Sequence, residues 1–356
     1  MVDSEKLNET TRLSNFELLR IFAMFLIVMH HFSVHGIFSY WTGSATFLEK
    51  FNDVFCIFFA SGGKIGVILF MLLTGYFNCN KGFSLKKVFS LCLKVFLVLY
   101  FVFIMCHIFK YEIIAPNVNF FLFPISHNTY WFVTMWLLVY IFSPLLNTIV
   151  VNLDKKYVRL YLLFSLLIWC VIPSFFVVNY YYSVLLYCFF IYLLGAALRL
   201  EIVKFNKDGI LILFLLGLFF FVLKIVPLLH ADKINLNEVT KYFDLQSIYA
   251  FTTAISIFYI FSNINIKSSK KINYIATSAF GVYLLHDNPF SRLLWHNFNV
   301  HRLVASQYFI FYYILISISI FAVCVVVDKI LMFFCEKYIM GLSCFLDKKL
   351  SNLVKN

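Results

Sequence analysis

Ten apolar stretches, each near the length of helix that crosses a bilayer, run through this 356-residue chain and constrain its fold more than anything else in it. They cover about Ile21–Tyr40, Val54–Phe77, Val88–Phe109, Tyr130–Val150, Leu160–Val178, Ser183–Leu198, Ile210–Leu228, Ser247–Ser262, Ile275–Trp295 and Ser306–Phe334. The expected fold is therefore all-α, a polytopic transmembrane bundle of about ten helices. No repeat, linker or low-complexity tract divides it. One integral-membrane domain is expected over residues 1–356, with a polar N-terminal tail at 1–14 and a cytoplasmic tail at 336–356. Two places are ambiguous: the fifth and sixth spans are separated only by Asn179–Tyr182, and the last is long enough to tilt or to run past the bilayer. The tail places Leu342, Phe345, Leu346 and Leu350 beside Lys348 and Lys349, which suits either an amphipathic surface helix or a solvated segment.

Composition agrees, with 62% hydrophobic and 13% charged residues and a mean hydropathy of +0.88. Soluble globular domains do not reach these values. The 46 Phe and 22 Tyr exceed what interfacial belts need, so many must fill helix contacts. Nine cysteines without Cys-x-x-Cys spacing suggest neither a metal site nor a disulfide framework, and read as small core residues. The net charge of +12 forms no basic patch with interleaved aromatics, so no nucleic-acid partner is expected. Topology explains it better. Of the 29 basic residues, 21 fall on one side of the predicted spans, which places both termini in the cytoplasm. The loops opposite, around Trp41–Lys50, Lys110–Thr129, Leu229–Gln246 and Asn297–Ala305, are too short for a separate domain. With no small-residue cleavage site after it, the first span reads as an uncleaved anchor.

Within that apolar background the ionisable residues stand out, because charge at bilayer depth is costly. The first span is entered past Arg20 and reaches His30 and His31, with His35 four residues on. On a helix, Arg20 and His31 lie within roughly 20° of one face and about 16 Å apart along the axis, whereas His30 is turned a further 100° or so away. With Arg20 at the membrane edge, His31 falls near the middle of the hydrocarbon. Each has a plainer reading: His31 as a packed intramembrane histidine, Arg20 as an interfacial anchor. Glu17, one turn earlier, suits an ion pair with Arg20. His286 and Asp287 fall late in the ninth span, where Pro289 can open the helix. They can line a polar pocket, orient His31, or simply close a helix end. Tyr130, Trp131 and Trp136 can offer flat faces for a ligand to stack on or sit at the interface as ordinary aromatics. The remaining histidines show no paired ligand spacing, so no metal site is expected.

Arg20, ten intervening residues, then His31-Phe32 resembles the Arg-x10-His signature of the membrane-bound acyltransferase family 3. The surrounding ELLRIFAMFLIVMHHFSVHG is most similar to the branch found in bacterial polysaccharide gene clusters. Three further phrases follow in the family's order: GVILFMLLTGYF at Gly66–Phe77, YWFVTMWLLVYIFSPLLN at Tyr130–Asn147 and FGVYLLHDNPFSRLLW at Phe280–Trp295. One departure stands out. Where members often carry Arg-x-x-Arg at the start of the third helix, this chain reads SLKKVFSLCLK, which keeps positive charge in Lys86, Lys87 and Lys94 without a bidentate guanidinium.

The resemblance implies a multi-pass protein of the bacterial cytoplasmic membrane that O-acylates a glycan of the capsule or exopolysaccharide kind. Acetyl-CoA would be the acyl donor and a glycan or lipid-linked saccharide the acceptor; no permanently bound cofactor is implied. The residues suit this chemistry. A sugar hydroxyl attacks a thioester poorly without a base, and imidazole has the right pKa range, which makes His31 the candidate. Coenzyme A is anionic at one end of a long arm, so the donor site should be basic at the water edge: Arg20, Lys86, Lys87 and Lys94. Trp131, His286 and Asp287 are the candidates for holding the acceptor or orienting His31. Two other classes compete. A transporter or flippase would show paired halves with matching broken helices, and a glycan polymerase a large extracytoplasmic loop; neither feature is evident.

Overall fold

The structure, a computed structural model, describes residues 13–38, 46–110, 118–127, 129–176, 183–230, 244–292 and 300–355. The expected N-terminal tail lies almost wholly outside these, as do parts of all four loops expected opposite the basic side. Among the described residues there are helices and no strands, in the order α1 (Ser14–His31), α2 (Phe47–Asn78), α3 (Leu85–Ile108), α4 (Val118–Leu122), α5 (Trp131–Asn152), α6 (Lys155–Leu166), α7 (Ser183–Arg199), α8 (Lys207–His230), α9 (Ile248–Asn263), α10 (Lys270–Ala276), α11 (Ala279–His286) and α12 (Phe309–Lys355). Wider π-helical turns carry α1 on to Ile37 and extend α6 through Val171. Seven helical segments are long and apolar enough to cross a membrane, while α7 and α9 are apolar but shorter.

The bundle is built around α2, which packs against α1, α7 and α9. It starts earlier than its apolar run because Thr46 and Glu49 form a reciprocal capping box: the Glu49 N–H donates to Thr46 Oγ1 (3.3 Å) and the Thr46 N–H to Glu49 Oε2 (2.9 Å). Small residues then let its neighbours close in. A Cβ on Gly66 would lie 2.6 Å from Ala23 O of α1, and one on Gly63 would overlap the His30 ring. On another face Gly75 and Gly195 interlock: a Cβ on the first would strike Tyr192 O of α7, and on the second Leu72 O of α2. Small residues at crossings are how helices in lipid gain van der Waals contact, and they give the Thr74-Gly75-Tyr76 phrase its physical reason. Outside this core, Leu211, Ile212, Leu215 and Phe219 of α8 and Phe311, Ile318 and Val326 of α12 are exposed, the pattern of a surface that faces lipid.

One expectation changes. The ninth span, Ile275–Trp295, is not one helix: α10 and α11 are separated by a turn at Thr277–Ser278, and α11 stops at His286. The stop follows from Pro289, which has no N–H and whose ring keeps Asn288 out of helical backbone. Asn288 instead accepts the Phe290 N–H on its side chain (2.9 Å). The tail after Glu336, open between a surface helix and a solvated segment, continues α12 as one unbroken helix of 47 residues. Such a helix is about 70 Å long, more than a bilayer spans. Gly341, at a cost of about 1 kcal/mol, is not enough to break it.

Candidate active site

The break after α11 places His286 and Asp287 against the far end of α1. There His31 Nδ1 lies 2.8 Å from His286 Nε2, and His286 Nδ1 lies 2.6 Å from the carbonyl oxygen of Val282 one turn back. A carbonyl only accepts, so for neutral rings the proton of His286 sits on Nδ1 and its Nε2 is an acceptor. His31 must then donate from Nδ1, which leaves the lone pair of His31 on Nε2. That atom faces Asp287 Oδ1 at 3.5 Å, and the Nε2 of His35, whose ring stacks on His31 at 5.4 Å, lies 3.8 Å from the same oxygen. Asp287 Oδ1 also accepts from Arg292 Nε (2.9 Å) and Nη2 (2.6 Å). The whole group is braced by Tyr130, just before α5, whose hydroxyl donates to Leu284 O (3.1 Å) and accepts from Asn288 Nδ2 (2.7 Å).

His30 is differently employed. Its Nδ1–H donates to Ala60 O of α2 and its ring fills the space left by Gly63. The adjacent imidazoles thus have separate duties, one pinning α1 to α2, the other hydrogen-bonded within the polar cluster. His31, His35 and Asp287 together offer ligand atoms within 4.8 Å of one another, the donor types of a metal site, which sequence spacing did not suggest because the carboxylate comes from the opposite end of the chain. Arg292 already supplies positive charge at that carboxylate through two hydrogen bonds to Oδ1.

His30 and His31 both border a small pocket whose other walls include Ile27, Lys64, Trp131, Phe132 and Tyr283. Trp131 is therefore brought to His31, whereas Tyr130 is buried and structural, and Trp136 points elsewhere, donating to Thr74 Oγ1 (3.0 Å) and stacking on Tyr140. Lys64 is absent from the residues singled out above. Its signal was a lone cation in the middle of the second apolar run, where charge costs about 2.5–3.5 kcal/mol and asks for a function. Its Nζ lies 5.4 Å from the centre of the Trp131 ring, within electrostatic reach of Asp287 and Asp244.

The sequence profile of a family described as acyltransferase domain matches residues 13–329, which contain every residue of this cluster. The chain belongs to acyltransferase family 3. Searches of curated proteins and of solved structures each find no match.

At the other end of α1, the Arg20 guanidinium of this acyltransferase pairs with Glu17 and lies over the Phe77 ring at 5.3 Å. Lys87, on the first turn of α3, faces Tyr140 at 4.5 Å and Trp136 at 5.4 Å, and is electrostatically coupled to Arg20 and Lys81. Lys86 is next to it and partly exposed. Arg199, at the close of α7, lies over Tyr76 at 5.1 Å. Lys94, two turns deeper on α3, is engaged by Asp328 of α12 at 2.8 Å, with only 13% of its side chain exposed. Of the four donor candidates, three are thus at the edge and one is held in an ion pair inside the bundle.

Proposed function

We propose that this acyltransferase moves an acetyl group from acetyl-CoA, taken at the cytoplasmic face, to a hydroxyl of an exported or cell-surface glycan in a bacterial cytoplasmic membrane. The reading is carried by one observation: the Val282–His286–His31 hydrogen-bond chain leaves the His31 Nε2 lone pair in a polar cluster beside a pocket, the state a general base needs before it takes a proton. The reaction forms an ester bond and breaks a thioester bond; the hydroxyl proton passes to His31 and leaves with the thiol. Asp287, 3.5 Å away, favours the imidazolium that forms in between, and Arg292 fixes that carboxylate. His286 orients His31 and selects its tautomer. Trp131 offers a flat apolar face to a sugar ring.

The donor's phosphates would meet Arg20, Lys86 and Lys87, and its pantetheine arm would run inward along α1. The rise from Arg20 to His31, about 16 Å on a helix, is comparable with the reach of that arm. Lys94 is left out of the donor edge, because it lies largely buried in the bundle and is paired there with Asp328. The basic bias that predicts cytoplasmic termini puts Arg20 on the side where acetyl-CoA is made. The test is chemical analysis of surface glycans from cells with the gene, without it, and complemented with His31→Ala. Ester-linked acetyl should vanish in the second and stay absent in the third. Identical glycans in all three would dismiss the proposal.

A further inference from the structure

Acyl transfer needs more than a base. As the hydroxyl attacks, the thioester carbonyl oxygen becomes an anion, and in a water-poor site that charge needs fixed positive partners. Backbone N–H groups often supply them, but those within α1 and α2 are committed to their own helices. The pocket beside His31 has two other positive features. Lys64 projects into it from α2, and α5 begins beside it, at Trp131, where the Tyr130 side chain does not cap the helix. A helix start carries partial positive charge, and the Lys64 ammonium sits 5.4 Å from the ring of the first residue of that helix.

We infer that Lys64, assisted by the start of α5, stabilises the oxyanion of the tetrahedral intermediate, so that the pocket holds a base on one wall and a cation on another. The inference rests on the acyl-transfer reading above. The hydroxyl oxygen bonds to the carbonyl carbon and its proton goes to His31 Nε2. The carbonyl electron pair moves to oxygen, where Lys64 meets it. Collapse of that anion expels the thiolate of coenzyme A, which takes the proton back from His31. The ammonium keeps its proton throughout, so Lys64 changes the barrier and not the stoichiometry. Trp131 and two carboxylates within electrostatic reach, Asp244 and Asp287, meet part of the cost of burying the charge between turnovers.

The test uses the full-length protein in nanodiscs, with acetyl-CoA as donor and glycan extracted from cells lacking the gene as acceptor, free coenzyme A being measured by chromatography. Lys64→Met should lower kcat by about 10²- to 10³-fold, the usual loss of one oxyanion donor, with the KM for acetyl-CoA within about threefold of wild type. Lys64→Arg should recover at least tenfold of that loss, because it returns a cation. Retained binding of coenzyme A shows that a variant is folded; if Lys64→Met fails that check, Lys64→Gln replaces it under the same criteria. An unchanged kcat, or a change confined to the acceptor KM, overturns the role of Lys64 while leaving acyl transfer intact. Wild-type protein that releases no coenzyme A, in a preparation that binds it, overturns the underlying reading instead.

Discussion

At one end of α1, Arg20 is held by a residue one turn away, Glu17, and by the ring of Phe77. At the other end, His31 is held by His286, 255 positions along the chain, in a cluster whose His31, His286 and Asp287 are buried. The first arrangement is local and half-open, so it can shift to meet a long, flexible, charged ligand. The second is over-determined: α11, the break at Pro289, Tyr130 just before α5 and Arg292 all fix the same few atoms. A phosphate contact tolerates displacement, whereas proton transfer does not, so on the proposed reading the two ends of one helix would match those different tolerances.

Removing the base should break this comparison most sharply. His31→Ala should cost about 10² to 10⁴ in turnover at normal protein levels, the range for a positioned general base. His30→Ala, one residue away, should leave measurable turnover and lower stability, because His30 pins α1 to Ala60 and Gly63. Acyl transfer together with thermal unfolding in detergent separates the two outcomes. Equal losses of activity in both variants would mean that the division of labour between the two imidazoles is wrong.

The next test leaves the base in place and frees its tautomer. His286→Leu removes the acceptor for the His31 Nδ1–H, so the proton can move to Nε2 and block the lone pair. A loss on the order of 10- to 100-fold in kcat is expected, part of what the base itself supplies, with donor affinity unchanged. His286→Gln, whose amide oxygen can accept the same hydrogen bond, should recover some of it. A structural role for His286 would show instead as lost protein, with no rescue by Gln.

Part of this site was legible in the sequence and part was not, for physical reasons. Helical phase, which depends only on spacing, separates His31 from His30 and aligns it with Arg20. The apolar runs foretell a helical bundle, since length and hydropathy nearly determine a crossing helix. Contacts between distant segments leave no such trace. Nothing in the spacing shows that Asp287 faces both His31 and His35, or that Lys94 finds Asp328 in α12. The Thr46–Glu49 capping box and the lone Lys64 were readable from local rules; one lies outside the apolar run and the other is masked by its hydropathy.

Packing at the buried end can be tested through stability. Gly63→Ala places a Cβ into the His30 ring and should destabilise the protein by about 1–3 kcal/mol, the usual cost of overpacking. Adding His30→Ala makes room, so the double variant should be more stable than the sum of the single losses implies. Strict additivity in thermal unfolding would show that the two positions do not share this contact.

The smallest effects belong to the Arg20 end. Arg20→Ala or Lys87→Ala each removes one partly solvated cation, and such a charge contributes about 0.2–1 kcal/mol. The KM for acetyl-CoA should therefore rise by only about two- to fivefold in either variant, with kcat retained and the effect shrinking as salt is raised. Lys94→Ala should behave otherwise. It strands the buried carboxylate of Asp328, so the loss should appear in unfolding temperature while donor affinity stays level. Pairing Lys94→Ala with Asp328→Ala should return part of that stability, because neither charge is then left alone. If Lys94→Ala weakens the donor as much as Arg20→Ala does, the basic edge reaches two turns deeper along α3 than the ion pair with Asp328 implies.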